Sequence, residues 1–233
     1  PTAHYAMGGI PTDVHSRVLS DEKGTVLPGV YAAGEAACVS VHGANRLGTN
    51  SLLDIVVFGK RAGQSMVDYV TQTKPNSISD SASDDLSKKI QNLIDKEHTD
   101  EFSVANIRKD LQESMEENAK IFRTKETLEK QTEILEELRE RYENVTIFDK
   151  SKIHNSELVE AIELDYLLDM SEATVASALA RNESRGAHSR QDFPDRDDTN
   201  FMKHSFAFKK DNSANLKYKD VELGKYEPME RKY

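Results

Sequence analysis

A single cysteine, Cys38, stands among 233 residues, so the chain has no internal disulfide and no cysteine-built zinc or iron–sulfur centre. Positive charge is also short. Against 41 acidic residues there are 31 Lys and Arg, a net charge of −10, which excludes a general nucleic-acid binder because phosphate contacts need a basic surface. No apolar run approaches the ~20 residues needed to cross a bilayer, and no signal peptide opens the chain. The loop Gly-x-Gly-x-x-Gly, which would hold a dinucleotide pyrophosphate, occurs nowhere, and the first residue is Pro1 rather than Met. From these last two absences we expect a carboxyl-terminal piece of a longer protein, inactive by itself. What is present, 37% hydrophobic and 31% charged residues, describes a folded, strongly solvated protein of one or two domains in a reducing compartment.

The densest chemistry lies in His42-Gly43-Ala44-Asn45-Arg46-Leu47-Gly48-Thr49-Asn50-Ser51-Leu52-Leu53-Asp54. A His, an Arg, two Asn and two Gly crowd just before an apolar helix. Small and polar residues let the backbone approach a ligand closely, and the planar fork of Arg46 suits a carboxylate or phosphate. Ser51 stands where an N-cap belongs, so the loop aims a helix N-terminus at something anionic. The helix, Ser51 to about Val70, is predicted to be buried at its beginning, where Leu52, Leu53, Ile55, Val56, Val57 and Phe58 cluster. Gly59 and Gly63 each cost about 1 kcal/mol relative to Ala, which predicts another element packed closely on that face.

Upstream, a turn at Leu27-Pro28-Gly29 leads into a short strand that stops at Gly34 and presents Glu35. An acid at the carboxyl end of a strand can accept hydrogen bonds from a ribose or ribityl hydroxyl. Earlier still, His4-Tyr5-Ala6-Met7-Gly8-Gly9-Ile10 sets a second His beside a Gly pair.

At these residues the chain resembles the flavoprotein subunit of the succinate dehydrogenase and fumarate reductase family. The likeness is carried by His4-Tyr5 with Met7-Gly8-Gly9-Ile10, by Pro28 to Glu35, by His42 to Gly48 and by Asn50 to Asp54. It continues through Glu183-Ser184-Arg185-Gly186-Ala187-His188-Ser189-Arg190, Asp192-Phe193-Pro194, Arg196-Asp197-Asp198 and the final Arg231-Lys232-Tyr233. The resemblance implies that His4 and Arg46 bind a dicarboxylate, that Glu35 hydrogen-bonds the FAD sugar chain, and that Ser51 and Leu52 lie against the flavin ring. His42 is a candidate for a supporting or ring-contacting role. No proton-transfer residue is assigned, because the family places its proton-transfer arginine ahead of these motifs.

From about Leu86 the pattern turns helical. Stripes at Leu86 to Ile94, Val104 to Met115, Leu128 to Tyr142 and Leu158 to Leu167 predict four helices, the third capped by Thr124 and the fourth reaching as far as Arg181. Ser184 to His204 reads as a salt-bridged surface strap, which the resemblance implies holds the helical part against the flavin part, and Phe206 to Val221 reads as two edge strands around Asp211-Asn212-Ser213. The expected fold is an incomplete α/β, Rossmann-like FAD-binding portion over 1–70, a linker over 71–85, an α-helical bundle over 86–185, and a polar strap with a short irregular or β tail over 186–233.

The resemblance implies a succinate dehydrogenase: oxidation of succinate to fumarate, hydride transfer to FAD, and electrons passed to an iron–sulfur subunit. A membrane anchor subunit is implied as well, with this subunit peripheral on the cytoplasmic side of the plasma membrane, or on the matrix side in a mitochondrion. Alternatives are fumarate reductase, the same reaction reversed, and L-aspartate oxidase, which resembles the first 70 residues but not the strap. An acidic helical interaction module without catalysis is the alternative of another class.

Overall fold

The computed structural model describes residues 7–74, 77–210, 213–225 and 227–229. His4 and the final Arg231-Lys232-Tyr233 lie outside the described residues.

The amino-terminal part is built from short strands. β1 (Ile10–Pro11) pairs in parallel with β4 (Ala37–Cys38), and β2 (Arg17–Leu19) pairs antiparallel with β3 (Val26–Tyr31). The β2–β3 turn lies at Asp21 to Gly24: the Asp21 carboxylate accepts the amides of Lys23 at 3.0 Å and Thr25 at 2.9 Å. Leu27-Pro28-Gly29, expected to be a turn, instead lies inside β3. Arg17 pairs with Tyr31 and Leu19 with Val26, so the register shifts between them and β3 carries extra residues there. Pro28 cannot donate to a ladder, and a bulge is where a strand tolerates it.

Helix α1 (Asn50–Gln72) lies across this hairpin. The Ser16 hydroxyl donates to Phe58 O at 3.0 Å and the Tyr31 hydroxyl to Ser65 O at 3.2 Å. Two expectations fail here. The N-cap is Thr49, in a left-handed conformation at φ 68°, not Ser51. The start of the helix is not buried: Leu52 is 67% and Val56 68% exposed, and in the whole helix only Asp54 and Ala62 are buried. Gly59 and Gly63 meet nothing within 4 Å of where a Cβ would stand, so no described element packs there. The apolar pattern was legible, but its covering surface is not among the described residues.

The four helices appear where their stripes predicted them: α2 (Asp84–Asp95), α3 (Val104–Asn118), α4 (Lys125–Glu143) and α5 (Ser156–Ala180). Helix α1 runs two residues into the polar stretch 71–85, and α2 takes its last two. Side-chain oxygens of Ser103, Thr124 and Asn155 cap α3, α4 and α5, with Thr124 and Thr127 forming a reciprocal box. Ile107, Leu128, Leu164 and Leu168 are fully buried at the centre of the bundle. Polar groups inside it are paired: Asn118 donates to Gln131 at 3.0 Å, and the Tyr142 hydroxyl to Ala161 O at 2.9 Å. Arg139 on α4 spans three acids of α5, Asp165, Asp169 and Glu172, at 2.6 to 2.8 Å.

Between α3 and α4, β5 (Phe122–Arg123) pairs in parallel with β6 (Ser189–Arg190), which follows α5; then come a single turn α6 (Asp198–Phe201) and a regular hairpin of β7 (Lys203–Lys210) and β8 (Ser213–Asp220). The strap is not a surface feature throughout. Glu183 is 0% and Arg190 1% exposed, because the strap closes the carboxyl end of α5, where helix carbonyls lack partners. The Arg190 guanidinium donates to Ala178 O, Leu179 O and Arg181 O and forks onto Asp192 at 2.7 and 2.8 Å. No helix among the described residues is long and apolar enough to cross a membrane.

Candidate functional site

The three amino-terminal motifs meet around the Arg46 loop. The backbone N–H of Arg46 points to Met7 Sδ at 3.1 Å, joining the loop to the motif that carries His4. Gly9 packs directly on the turn after β3: a Cβ there would stand 2.7 Å from Ala36 O, and its φ is +131°, so only glycine allows the approach. Glu35 lies exposed in a 3-10 turn, Gly34–Ala36, at the end of β3. The side chain of Arg46, half-buried, donates through Nη1 to Ser51 Oγ in the first turn of α1. Ser51 therefore serves the arginine rather than capping the helix, and Leu52 next to it is exposed.

His42 Nε2 lies 2.8 Å from Asp54 Oδ2, and the Asp54 side chain is almost wholly buried. A carboxylate oxygen accepts, so the Nε2 proton is fixed and the ring is oriented from α1. Asp54 had drawn attention only as part of a motif; its spacing from His42 gave no hint of the pairing. A small groove beside His42 is lined by Met7, Gly8, Cys38, Ser40 and, from β7, His204. Nothing in the sequence could place His204 here, since the fold of the whole carboxyl-terminal part delivers it.

The strap reaches the same loop. The Ala187 N–H donates to Ala44 O at 2.9 Å, two residues before Arg46. Behind it, Glu183 accepts from Arg181, from Arg185 twice and from the Asp197 N–H at 2.7 to 2.9 Å. Burial alone would raise the Glu183 pKa, but these bonds outweigh it and hold the carboxyl below its ordinary value.

His188 takes a hydrogen bond from Arg123 Nη1 on Nδ1 at 3.0 Å and donates from Nε2 to Arg181 O at 3.2 Å. That is the neutral ring. Burial lowers its pKa, as do Arg123, Arg181 and Arg190 nearby, against the Arg181 carbonyl, which raises it. Burial also lowers the pKa of His204, helped by Lys219 and Arg181. A histidine harder to protonate folded than unfolded costs stability as pH falls below its unfolded value, near 6.5. The unfolding midpoint should therefore drop between pH 7 and 5.5. The drop should be smaller in His188→Gln, whose amide can take both partners without titrating; equal slopes would show that His188 does not titrate on unfolding.

Comparison with known proteins places this arrangement. Residues 108–233 match the family model described as fumarate reductase flavoprotein C-term, and residues 1–52 match that of an FAD binding domain. The chain belongs to the flavoprotein family of succinate dehydrogenases and fumarate reductases. Over 212 residues it is 48% identical to the succinate dehydrogenase flavoprotein subunit of Rickettsia bellii, covering 89% of this chain and 35% of that protein. It is 42% identical over 238 residues to the fumarate reductase flavoprotein subunit of a Serratia strain, covering 100% of this chain and 38% of that protein. The structure of E. coli quinol fumarate reductase matches at a TM-score of 0.85 and 37% identity, over 98% of this chain and 38% of that one. The chain thus spans little more than a third of the length of these relatives.

Proposed function

We propose that this chain forms one side of the active site of a succinate dehydrogenase flavoprotein subunit, the side that grips the dicarboxylate and backs the flavin. The observation that carries the reading is the junction of Arg46 with Ser51 at the exposed start of α1 and with Met7, three residues after His4. One carboxylate of succinate would take the Arg46 fork, and the other the imidazole of His4. The residues fit FAD. Glu35, exposed at the end of β3, can accept from ribityl or ribose hydroxyls. Ser51 and the exposed Leu52 offer a polar and an apolar contact for the ring, beside a helix N-terminus that favours negative charge. Bound FAD would supply the two-electron acceptor for the hydride that succinate loses in becoming fumarate. His42, held by Asp54, keeps the loop in place behind Arg46.

In this reading residues 1–70 complete a Rossmann-like FAD-binding domain, 86–185 form the helical domain, and 186–233 tie the two together. An iron–sulfur subunit would receive the electrons and a membrane anchor would hold the complex on the cytoplasmic or matrix face. Fumarate reduction uses the same residues in reverse. Succinate added without oxygen to a flavin-loaded full-length subunit containing this chain should bleach the flavin band and fumarate restore it. Malonate, which lacks adjacent methylenes to desaturate, should compete. A flavin band indifferent to both succinate and fumarate would remove this reading.

A further inference from the structure

Arg46 is held from three directions, and one of them comes from far along the chain. Its N–H meets Met7, its guanidinium meets Ser51, and two residues earlier Ala44 O accepts the Ala187 N–H at 2.9 Å. At that last contact the two backbones touch without room to spare. Gly186 has φ +60°, and a Cβ on it would stand 2.3 Å from Ala44 O and 2.8 Å from the Ala44 Cβ. Both opposing atoms belong to main chain or to its first side-chain carbon, so no flexible side chain can swing aside.

The strap is the stiffer partner. Arg185 N donates to His188 O at 2.9 Å and Ser184 N to Asp195 O at 3.0 Å, closing the turn on both sides. The Arg185 guanidinium grips both oxygens of the fully buried Glu183 and reaches Asp198 at 2.7 Å. The Arg46 loop, in contrast, is largely exposed at Gly43, Asn45, Leu47, Gly48 and Thr49. A change at the contact therefore moves the loop and leaves the strap.

We propose that the Gly186–Ala187 peptide is a positioning element for Arg46: by fixing the Ala44 carbonyl, it sets where the guanidinium fork meets a substrate carboxylate. The inference rests on the reading of Arg46 as the dicarboxylate clamp. It makes docking of the helical part a condition of substrate affinity, while the flavin contacts at Glu35 and Leu52 stand apart from it.

In the flavin-loaded protein, Gly186→Ala must open the contact from 2.3 Å to ordinary van der Waals separation, a displacement of about 1 Å, and misplacement of that size costs roughly 100-fold. We expect kcat/KM for succinate to fall by about that factor, mostly through KM, with the flavin-to-protein ratio unchanged. Ala44→Gly, which adds no atom and only loosens the loop, should raise KM several-fold and decides the matter if Gly186→Ala does not fold. In an Arg46→Lys background, Gly186→Ala should cost less than about threefold more, because residues acting through one another do not add. An unchanged KM in both single variants overturns the proposal, and so does a full 100-fold loss on top of Arg46→Lys, which would mean a general effect on the fold. If Arg46→Lys alone leaves dicarboxylate affinity intact, the clamp reading itself fails, and the positioning role falls with it.

Discussion

Replacing Arg46 by Lys in the flavin-loaded protein is expected to lower succinate oxidation by at least about 100-fold while leaving flavin bound. The guanidinium gives one N–H to Ser51 Oγ, and its planar, five-donor fork is the shape a carboxylate takes in the proposed site. Lysine keeps the charge but cannot hold Ser51 and both oxygens of a carboxylate in one plane. The substrate then loses its orientation, and an error of about 1 Å costs roughly 100-fold. A lost charge-assisted hydrogen bond adds about 1.5 to 3 kcal/mol, a further factor of ten or more. Both apparent affinity and turnover should suffer. The proposed flavin contacts, Glu35 and Leu52, are untouched, so the flavin-to-protein ratio should match that of the unsubstituted protein. Steady-state oxidation with an artificial acceptor measures the effect. A variant within fivefold of the parent would show that Arg46 is not the clamp, and a colourless one would reassign it to cofactor binding or folding.

Glu183→Gln should be the most damaging conservative change for stability. Glu183 is completely buried, and both of its oxygens accept: Oε1 from Arg181 and Arg185, Oε2 from Arg185 and the Asp197 N–H. A glutamine must turn an N–H₂ toward one of these donor pairs, and it leaves two guanidinium groups without their shared counter-charge. Breaking a buried charge pair in this way costs about 3 to 5 kcal/mol. For a protein of this size the melting midpoint should fall by on the order of 10 °C. The loss has a pH signature. Because the folded pKa of Glu183 is depressed, its contribution is fully present above its ordinary value of 4.5 and is lost as pH falls through the folded value. The gap between parent and variant should therefore be constant near neutrality and shrink in acid below about pH 4.5. A gap that is small, or the same at pH 7 and in strong acid, would show that the carboxylate is not the keystone of the strap.

Much of this was readable in one dimension, and the reason differs by element. The four helices of the bundle announce themselves because caps and apolar stripes are local: Thr124 starts α4 as its position suggested, and the structure adds Thr127 to that cap and Asn155 to the start of α5. The β2–β3 turn is equally local, since Asp21 folds onto its own neighbours. Local signals misled where a distant partner decides. Leu27-Pro28-Gly29 looks like a turn and is a bulge, because β2 pairs on either side of it. Ser51 looks like an N-cap, but its hydroxyl takes Arg46 instead, and the N-cap position falls two residues earlier, at Thr49.

By itself the sequence determined the helical bundle, the hairpin at the tail and the identity of the polar residues around Arg46, since each follows from side-chain type and short-range spacing. Only the tertiary structure decided which of them meet. Met7 against Arg46, His204 at the same groove and Ala187 on Ala44 are contacts between segments far apart in the chain, and Asp54 meets His42 only because the loop between them folds back on the start of α1. Nor could charge counting separate Glu183 and Arg190, sealed at the end of α5, from the exposed acids and bases beside them. Burial is a property of what packs on top, and in this strap it is the carboxyl end of a helix, with its unpaired carbonyls, that draws one arginine inside and leaves its neighbours in water.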